Sequence, residues 1–232
     1  MRTGFAGALA VAGLLAACAS QVPRLAGDEG QRPSGFPDAY YRQAAQLGRP
    51  VFEVDPASSR VVIEVRRGGA LAHLGHDHVV ASHDVQGYVA PGEGRADLYI
   101  RLDRLVVDER ELRAEAQFDT QPSDEAIAGT RANMLEKLGA DKQPWALIGV
   151  RGADIDATGY RLGATLTLNG ITRAIPIPAQ MVLAAEEVNV TGRVTLEQTT
   201  FGITPFSILG GALQVQDQVS IRFRIRALRL SL

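Results

Sequence analysis

The sequence predicts an all-β protein, an antiparallel up-and-down barrel of about eight strands with one short helix inserted. From residue 51 onward, apolar and polar residues alternate at period two, as in strands with one buried and one solvated face. A single helical pattern interrupts them, which excludes the strand and helix alternation of a doubly wound sheet and leaves a sandwich or a barrel. Short turns between consecutive strands favour the barrel, whose interior is filled by side chains or holds one small ligand.

The composition limits the function classes. The 232 residues include 24 Lys and Arg against 26 Asp and Glu, for a net charge of -2. Without a surplus of positive charge, nucleic acid is excluded as a partner. The single cysteine allows no intrachain disulfide, so stability must come from packing and backbone pairing.

The N-terminus has the layout of a signal peptide. Arg2 precedes an apolar run over residues 5–17, which is shorter than the roughly 20 residues of a membrane-spanning helix. The run ends at Leu15-Ala16-Ala17-Cys18, which resembles the bacterial lipobox, where the chain is cut before a cysteine that is then acylated. We therefore expect a signal peptide over residues 1–17 and a membrane anchor on acylated Cys18. The alternative is a buried cysteine in an ordinary secretory signal.

Ala19 follows the cysteine, where an aspartate is the usual inner-membrane retention signal. By resemblance to Gram-negative lipoproteins, the expected location is the periplasmic side of the cell envelope, at the outer membrane. Residues 18–50 are rich in Gly, Pro, Gln and charge, and they predict a tether before a barrel domain over residues 51–232. Within the tether, residues 38–47 form either a plain linker or a short helix, with Asp38 as N-cap and a face towards the domain formed by Tyr40, Tyr41 and Leu47.

The clearest predicted hairpin lies between residues 160 and 183. Residues 160–168 alternate, the turn signal Asn169-Gly170 follows, and residues 175–183 form the next apolar face. Pro176 and Pro178 cannot donate to a strand ladder, so we expect this strand to lie beside a break, a bulge or an edge.

Other strands are predicted at residues 60–66, 188–196 and 219–226. The last of these carries outward arginines, which we interpret as a solvated exterior: Arg222, Arg224 and Arg226. The inserted helix is predicted between residues 121 and 138, because Ser123 offers a cap, acidic residues follow it, and Gly139 ends the apolar pattern.

Four segments resemble the YceI-like family: His73-Leu74-Gly75 in a glycine-marked loop and strand, Asn133-Met134-Leu135 followed by Gln143-Pro144-Trp145, the hairpin Leu166-Thr167-Leu168-Asn169-Gly170-Ile171-Thr172-Arg173, and Thr200-Phe201-Gly202-Ile203. The resemblance covers residues 51–232. It implies a lipocalin-like barrel in the bacterial periplasm, with a long apolar cavity that in some members holds a polyisoprenoid or a quinone-type lipid. The sequence departs from the more aromatic stretch of isoprenoid-binding members at Gly75-His76-Asp77-His78.

The predicted function is that of a lipid-anchored periplasmic protein that sequesters or carries an apolar isoprenoid-like or quinone-like lipid. The alternation assigns ten apolar residues to the barrel interior: Val61, Ile63, Leu162, Leu166, Ile177, Met181, Val190, Val194, Ile221 and Phe223. The same residues would fill a barrel without a ligand, so an envelope scaffold is a further alternative. The sequence predicts no enzyme, because it lacks a nucleophile elbow, a phosphate loop and a dinucleotide fingerprint.

All four histidines lie close together in sequence: His73, His76, His78 and His83. Three interpretations are open. One histidine closes a buried hydrogen bond at the barrel mouth while the others lie exposed in a loop, or His76 and His78 contact the polar head group of a ligand in the barrel. Alternatively, the protein is a periplasmic metal-binding module. In that case His76 and His78 bind a divalent metal ion, with His73 or His83 as third ligand and Asp84 completing or supporting the shell.

Overall fold

The alternating segments form the strands of a closed antiparallel barrel in the computed structural model, which describes residues 32–231. The strands are β1 (Phe52–Val54), β2 (Arg60–Gly68), β3 (His78–Ser82), β4 (Val85–Ala90), β5 (Arg95–Arg101), β6 (Val106–Val107), β7 (Trp145–Asp156), β8 (Gly159–Leu168), β9 (Ile171–Leu183), β10 (Glu187–Glu197), β11 (Ser207–Ile208) and β12 (Leu213–Arg229). The helices are α1 (Asp38–Gln46), α2 (Arg110–Glu115) and α3 (Asp124–Lys137).

Short irregularities divide three of the barrel strands. β1 and β2 both pair with β12, on either side of a 3-10 turn at Pro56–Ser58 that the Asp55 carboxylate caps. β3 pairs with β2, and β4 pairs with β1. On their other sides, β3 pairs with β6 and β4 pairs with β5. When each divided pair is counted as one, eight strands follow one another around the barrel in chain order, and β1 closes it on β12. The predicted up-and-down antiparallel barrel is therefore confirmed.

The hairpin of β8 and β9 forms as predicted. Asn169 and Gly170 both have positive φ, 51° and 73°, as the two-residue turn requires, and Leu168 pairs with Ile171. β9 pairs with β8 from Ile171 to Ala179, but in the described part of the chain it pairs with β10 only from Ala179 onward. Pro176 and Pro178 thus lie on an unpaired edge.

The inserted helix is α3, where the Ser123 hydroxyl accepts a hydrogen bond of 3.2 Å from the Ala126 N–H. Its partly buried side chains pack against the main core of the barrel: Ile127, Met134 and Leu138. Helix α2, for which the sequence analysis made no prediction, precedes it. Among residues 32–231, the helices are all too short or too polar to cross a membrane.

Residues 38–46 form helix α1 against the barrel, so the C-terminal part of the predicted tether is ordered. Tyr41 is fully buried, stacks on Tyr88 and donates a hydrogen bond of 2.7 Å to Asp97. Two details of the prediction are wrong. The cap position is Pro37, and Asp38 lies in the first turn, where it accepts from the Tyr88 hydroxyl and from Arg42. Leu47, expected to face the domain, is 65% exposed. The predicted signal peptide, Cys18 and Ala19 lie outside the described residues.

Candidate functional site

An apolar cavity of about 260 Å³ lies inside the barrel. Side chains from most barrel strands line it, because alternate residues of each strand point inward. All ten apolar residues that the sequence assigns to the interior lie on its wall: Val61, Ile63, Leu162, Leu166, Ile177, Met181, Val190, Val194, Ile221 and Phe223.

The interior is packed at one end and hollow along much of its length. Where β1, β10 and β12 meet, Val54, Val188 and Ala227 are at most 4% exposed and belong to the main core. Further along the same barrel, inward residues such as Leu162 and Ile177 are only half-buried. Since protein cores are normally close-packed, partial exposure of inward apolar side chains means that they face unfilled space.

The wall of the cavity is almost uncharged. Among the described residues that line it, Arg95 alone carries a charge, and its guanidinium is held by Asp97 at 3.0 Å and by the ring of Tyr40 at 4.0 Å. A cavity with this lining favours hydrocarbon over charged ligands, because an ion inside it would lose its hydration without gaining partners.

The histidines do not line this cavity. His78 contacts the carboxylate of Asp108, with 2.6 Å between Nδ1 and Oδ2. Asp108 is buried, and its other oxygen accepts from the Val79 N–H at 3.0 Å and from Arg113 at 2.5 Å. Arg113, itself 2% exposed, also donates to the carbonyl oxygen of Asp77. The cluster of His78, Asp108, Arg113 and Asp77 joins the start of β3 to α2.

Asp108 is ionised within this cluster. Burial opposes its negative charge, but the hydrogen bonds from His78, Val79 and Arg113 outweigh burial and lower the pKa of Asp108 below its ordinary value. The cluster is therefore a buried, charge-assisted link between elements, and it corresponds to the interpretation in which a histidine closes a buried hydrogen bond.

The other three histidines have different surroundings. The ring of His76 lies edge-on to that of His78, with centroids 6.2 Å apart, and its Nδ1 is buried with no partner among the described residues. His83 is exposed and contacts Glu109 at 2.8 Å, and His73 is exposed in a 3-10 turn. Asp84, the expected supporting carboxylate, binds Gln86 and Arg104.

Two expectations about the histidines therefore find no support. Neither His76 nor His78 lies on the cavity wall where a ligand head group could reach it. Among residues 32–231, no three His, Cys, Asp or Glu side chains are grouped as metal ligands. The Nδ1 atom of His78 instead contacts Asp108, which is 30 positions away in the sequence.

Asp108 and Arg113 are not marked as site residues by any pattern in the sequence. Asp108 adopts a positive φ of 58°, which is uncommon outside glycine, but a backbone angle cannot be read from the sequence. The sequence also did not reveal that Leu98, Ile148 and Val150 complete the cavity wall.

The fold resembles two solved bacterial proteins. One is BcnA of Burkholderia cenocepacia, with a TM-score of 0.53 and 15% sequence identity, over 75% of this chain and 99% of that one. The other is a polyisoprenoid-binding domain from Saccharophagus degradans implicated in plant cell wall breakdown, with a TM-score of 0.53 and 15% identity, over 77% of this chain and 98% of that one. These likenesses show the fold.

Sequence comparison adds the family. No curated protein matches the chain significantly. The YceI-like domain model, however, matches residues 52–227, which is most of the barrel and more than half of the chain. The protein therefore belongs to the YceI-like family.

Proposed function

We propose that this protein binds an apolar, isoprenoid-like or quinone-like lipid in the barrel cavity and carries or sequesters it, without catalysing a reaction. The observation that supports this most directly is the hollow, almost uncharged interior whose inward apolar side chains stay half-buried. The likeness to a domain described as polyisoprenoid-binding supports the same class of ligand.

The size of the cavity limits the ligand. An apolar cavity of about 150 Å³ is enough to bind benzene, and ligand pockets commonly range from about 300 to 1,000 Å³. A cavity of about 260 Å³ lies between these two, just below the range of common ligand pockets. We propose a short tail of a few isoprene units inside the barrel, stabilised by about 25 cal/mol for each Å² of apolar surface removed from water.

We further propose that Cys18 is acylated and holds the protein at the periplasmic face of the bacterial outer membrane. The lipobox-like sequence before Cys18 and the alanine after it support this location. Anchoring would keep the cavity close to the membrane in which prenyl lipids dissolve.

Binding of farnesol, measured by displacement of a fluorescent apolar probe, tests the proposal. We expect the wild type to bind farnesol and Leu166→Lys to lose it, because an ammonium group on the cavity wall disfavours hydrocarbon there. The matched control is Thr191→Lys, which places the same charge on an exposed position of β10 and should bind as the wild type does. Absence of farnesol binding by the wild type, or equal binding by all three proteins, would contradict the proposal.

A further inference from the structure

The barrel wall has an opening between β9 and β10. These strands pair only from Ala179 to Leu183 on β9 and from Val188 to Gly192 on β10. Beyond that point, residues 171–178 remain paired with β8 and residues 193–197 remain paired with β12, so both strands continue without pairing with each other in the described structure.

The two prolines of β9 explain why the ladder stops. Leu168 and Ile171 flank the two-residue turn and therefore form a hydrogen-bonded pair, after which hydrogen-bonded pairs recur at every second residue. The backbone groups of residues 176 and 178 consequently point away from β8 and towards β10. Both residues are proline, so β9 offers β10 no N–H donor at these two positions, and the pairing stops just before them.

The far side of the opening is held in place by hydrogen bonds. A 3-10 turn, Gln198–Phe201, follows β10, and Asp217 of β12 accepts from the Thr199 N–H at 2.8 Å and from its hydroxyl at 2.6 Å. The Gln198 side chain donates to the carbonyl oxygen of Gln216 at 2.9 Å. The opening thus has two defined borders, the Ala179–Gly192 pair and this turn.

A second cavity of about 320 Å³, here called the side groove, lies at this opening. Its wall contains Ile175 and Leu196, which also line the barrel cavity, so the two spaces meet at these side chains. The remaining wall of the side groove is mostly polar and is formed by Arg173, Ala174, Thr195, Glu197, Thr200, Phe201 and Gln218.

We propose that the side groove binds the polar head group of an amphiphile whose hydrocarbon tail lies in the barrel, an inference that rests on the proposed function. Arg173 and Glu197 bring one charge of each sign, while Thr195, Thr200 and Gln218 offer hydroxyl and amide groups that both donate and accept. This balance suits an uncharged head group that hydrogen-bonds, a hydroxyl or a carbonyl, as in a prenol or a quinone. In this proposal the side groove, and not His76 and His78, contacts the head group of the ligand.

The test compares farnesol with farnesene, the corresponding hydrocarbon without the hydroxyl group. We expect the wild type to bind farnesol more tightly, by about twofold to tenfold for each hydrogen bond that the hydroxyl group gains. In the double variant Thr195→Val with Gln218→Leu, farnesol affinity should fall to that of farnesene, while farnesene affinity stays unchanged.

A matched control moves both substitutions four residues along the same strands. Thr191→Val with Gln214→Leu alters exposed residues of β10 and β12 that do not line the side groove, and both affinities should remain those of the wild type. Equal binding of farnesol and farnesene by the wild type would overturn the head-group site alone. Tighter binding of farnesyl phosphate than of farnesol would overturn the uncharged head group, and binding of none of these probes would overturn the proposed function as well.

Discussion

Substituting Ala164 by tryptophan should block the cavity without disturbing the fold. Ala164 lies in the middle of β8 and pairs with Val150 on β7 and with Ile175 on β9. All three residues line the cavity. Ala164 is itself only 3% exposed, but it lies on the cavity wall, so a larger side chain there extends into the cavity.

The size of the effect follows from the volume of the cavity. A benzene-sized ring fits a cavity of about 150 Å³, so the six-membered ring of tryptophan takes up to a little more than half of the 260 Å³. The ring displaces about six ligand carbons, each of which contributes about 0.8 kcal/mol to binding. The loss of binding free energy is therefore at most about 5 kcal/mol. A tail that shifts and keeps half of these contacts loses about 2.5 kcal/mol, or roughly 70-fold in Kd.

Farnesol displacement measures the Kd, and urea unfolding measures stability. Thr191→Trp adds the same side chain on an exposed position of β10 and serves as control. We expect Ala164→Trp alone to lose affinity, with a free energy of unfolding no lower than that of the wild type, because it fills a void. Unchanged affinity, or a loss of stability above about 1 kcal/mol of the kind that overpacking causes, would refute the hollow interior.

Four further predictions concern the rest of the chain. Asp108→Asn should lower the free energy of unfolding by about 3 to 5 kcal/mol in urea titrations, because it breaks a buried ion pair with Arg113, and a loss below about 1 kcal/mol would contradict this. The pKa of Asp108 is lower in the folded than in the unfolded state. The ionised carboxylate therefore stabilises the fold fully above about pH 4, and this stabilisation is lost as the pH falls through the folded pKa. Between pH 4 and the folded pKa, the urea midpoint of the wild type should drop more steeply than that of Asp108→Asn. Tyr41→Phe removes the hydrogen bond to Asp97 and should cost about 1.5 kcal/mol by thermal or urea unfolding, whereas an unchanged midpoint would show that the bond adds nothing. Cys18→Ser should abolish the acyl mass increment and the membrane association of the protein in cell fractionation, and equal fractionation of both proteins would contradict the anchor.

The barrel and its wall could be predicted because they depend on a local property. Side chains alternate between the two faces of a strand, so a residue such as Leu162 or Ile177 reveals its inward direction through its immediate neighbours. The turn at Asn169 and Gly170 is equally local. For the same reason, Pro176 and Pro178 indicate a break, a bulge or an edge from the sequence alone, since proline lacks the N–H that a ladder needs.

The features that escaped prediction depend on contacts between distant segments. His78 is held by Asp108, and α1 is held by the contact of Tyr41 with Asp97, 56 positions further along the chain. Neither partner is signalled by residues nearby in the sequence. The opening between β9 and β10 is a similar case, since the prolines indicate an edge but not that the side groove beyond it meets the barrel cavity.

Native mass spectrometry of the wild-type protein, purified without a histidine tag from a bacterial host, shows whether the barrel holds a lipid. A hollow lipid-binding barrel predicts an adduct that extracts into organic solvent as a prenyl lipid and that is absent from Leu166→Lys. Protein at its bare mass that also fails to take up added farnesol would contradict lipid binding in the barrel.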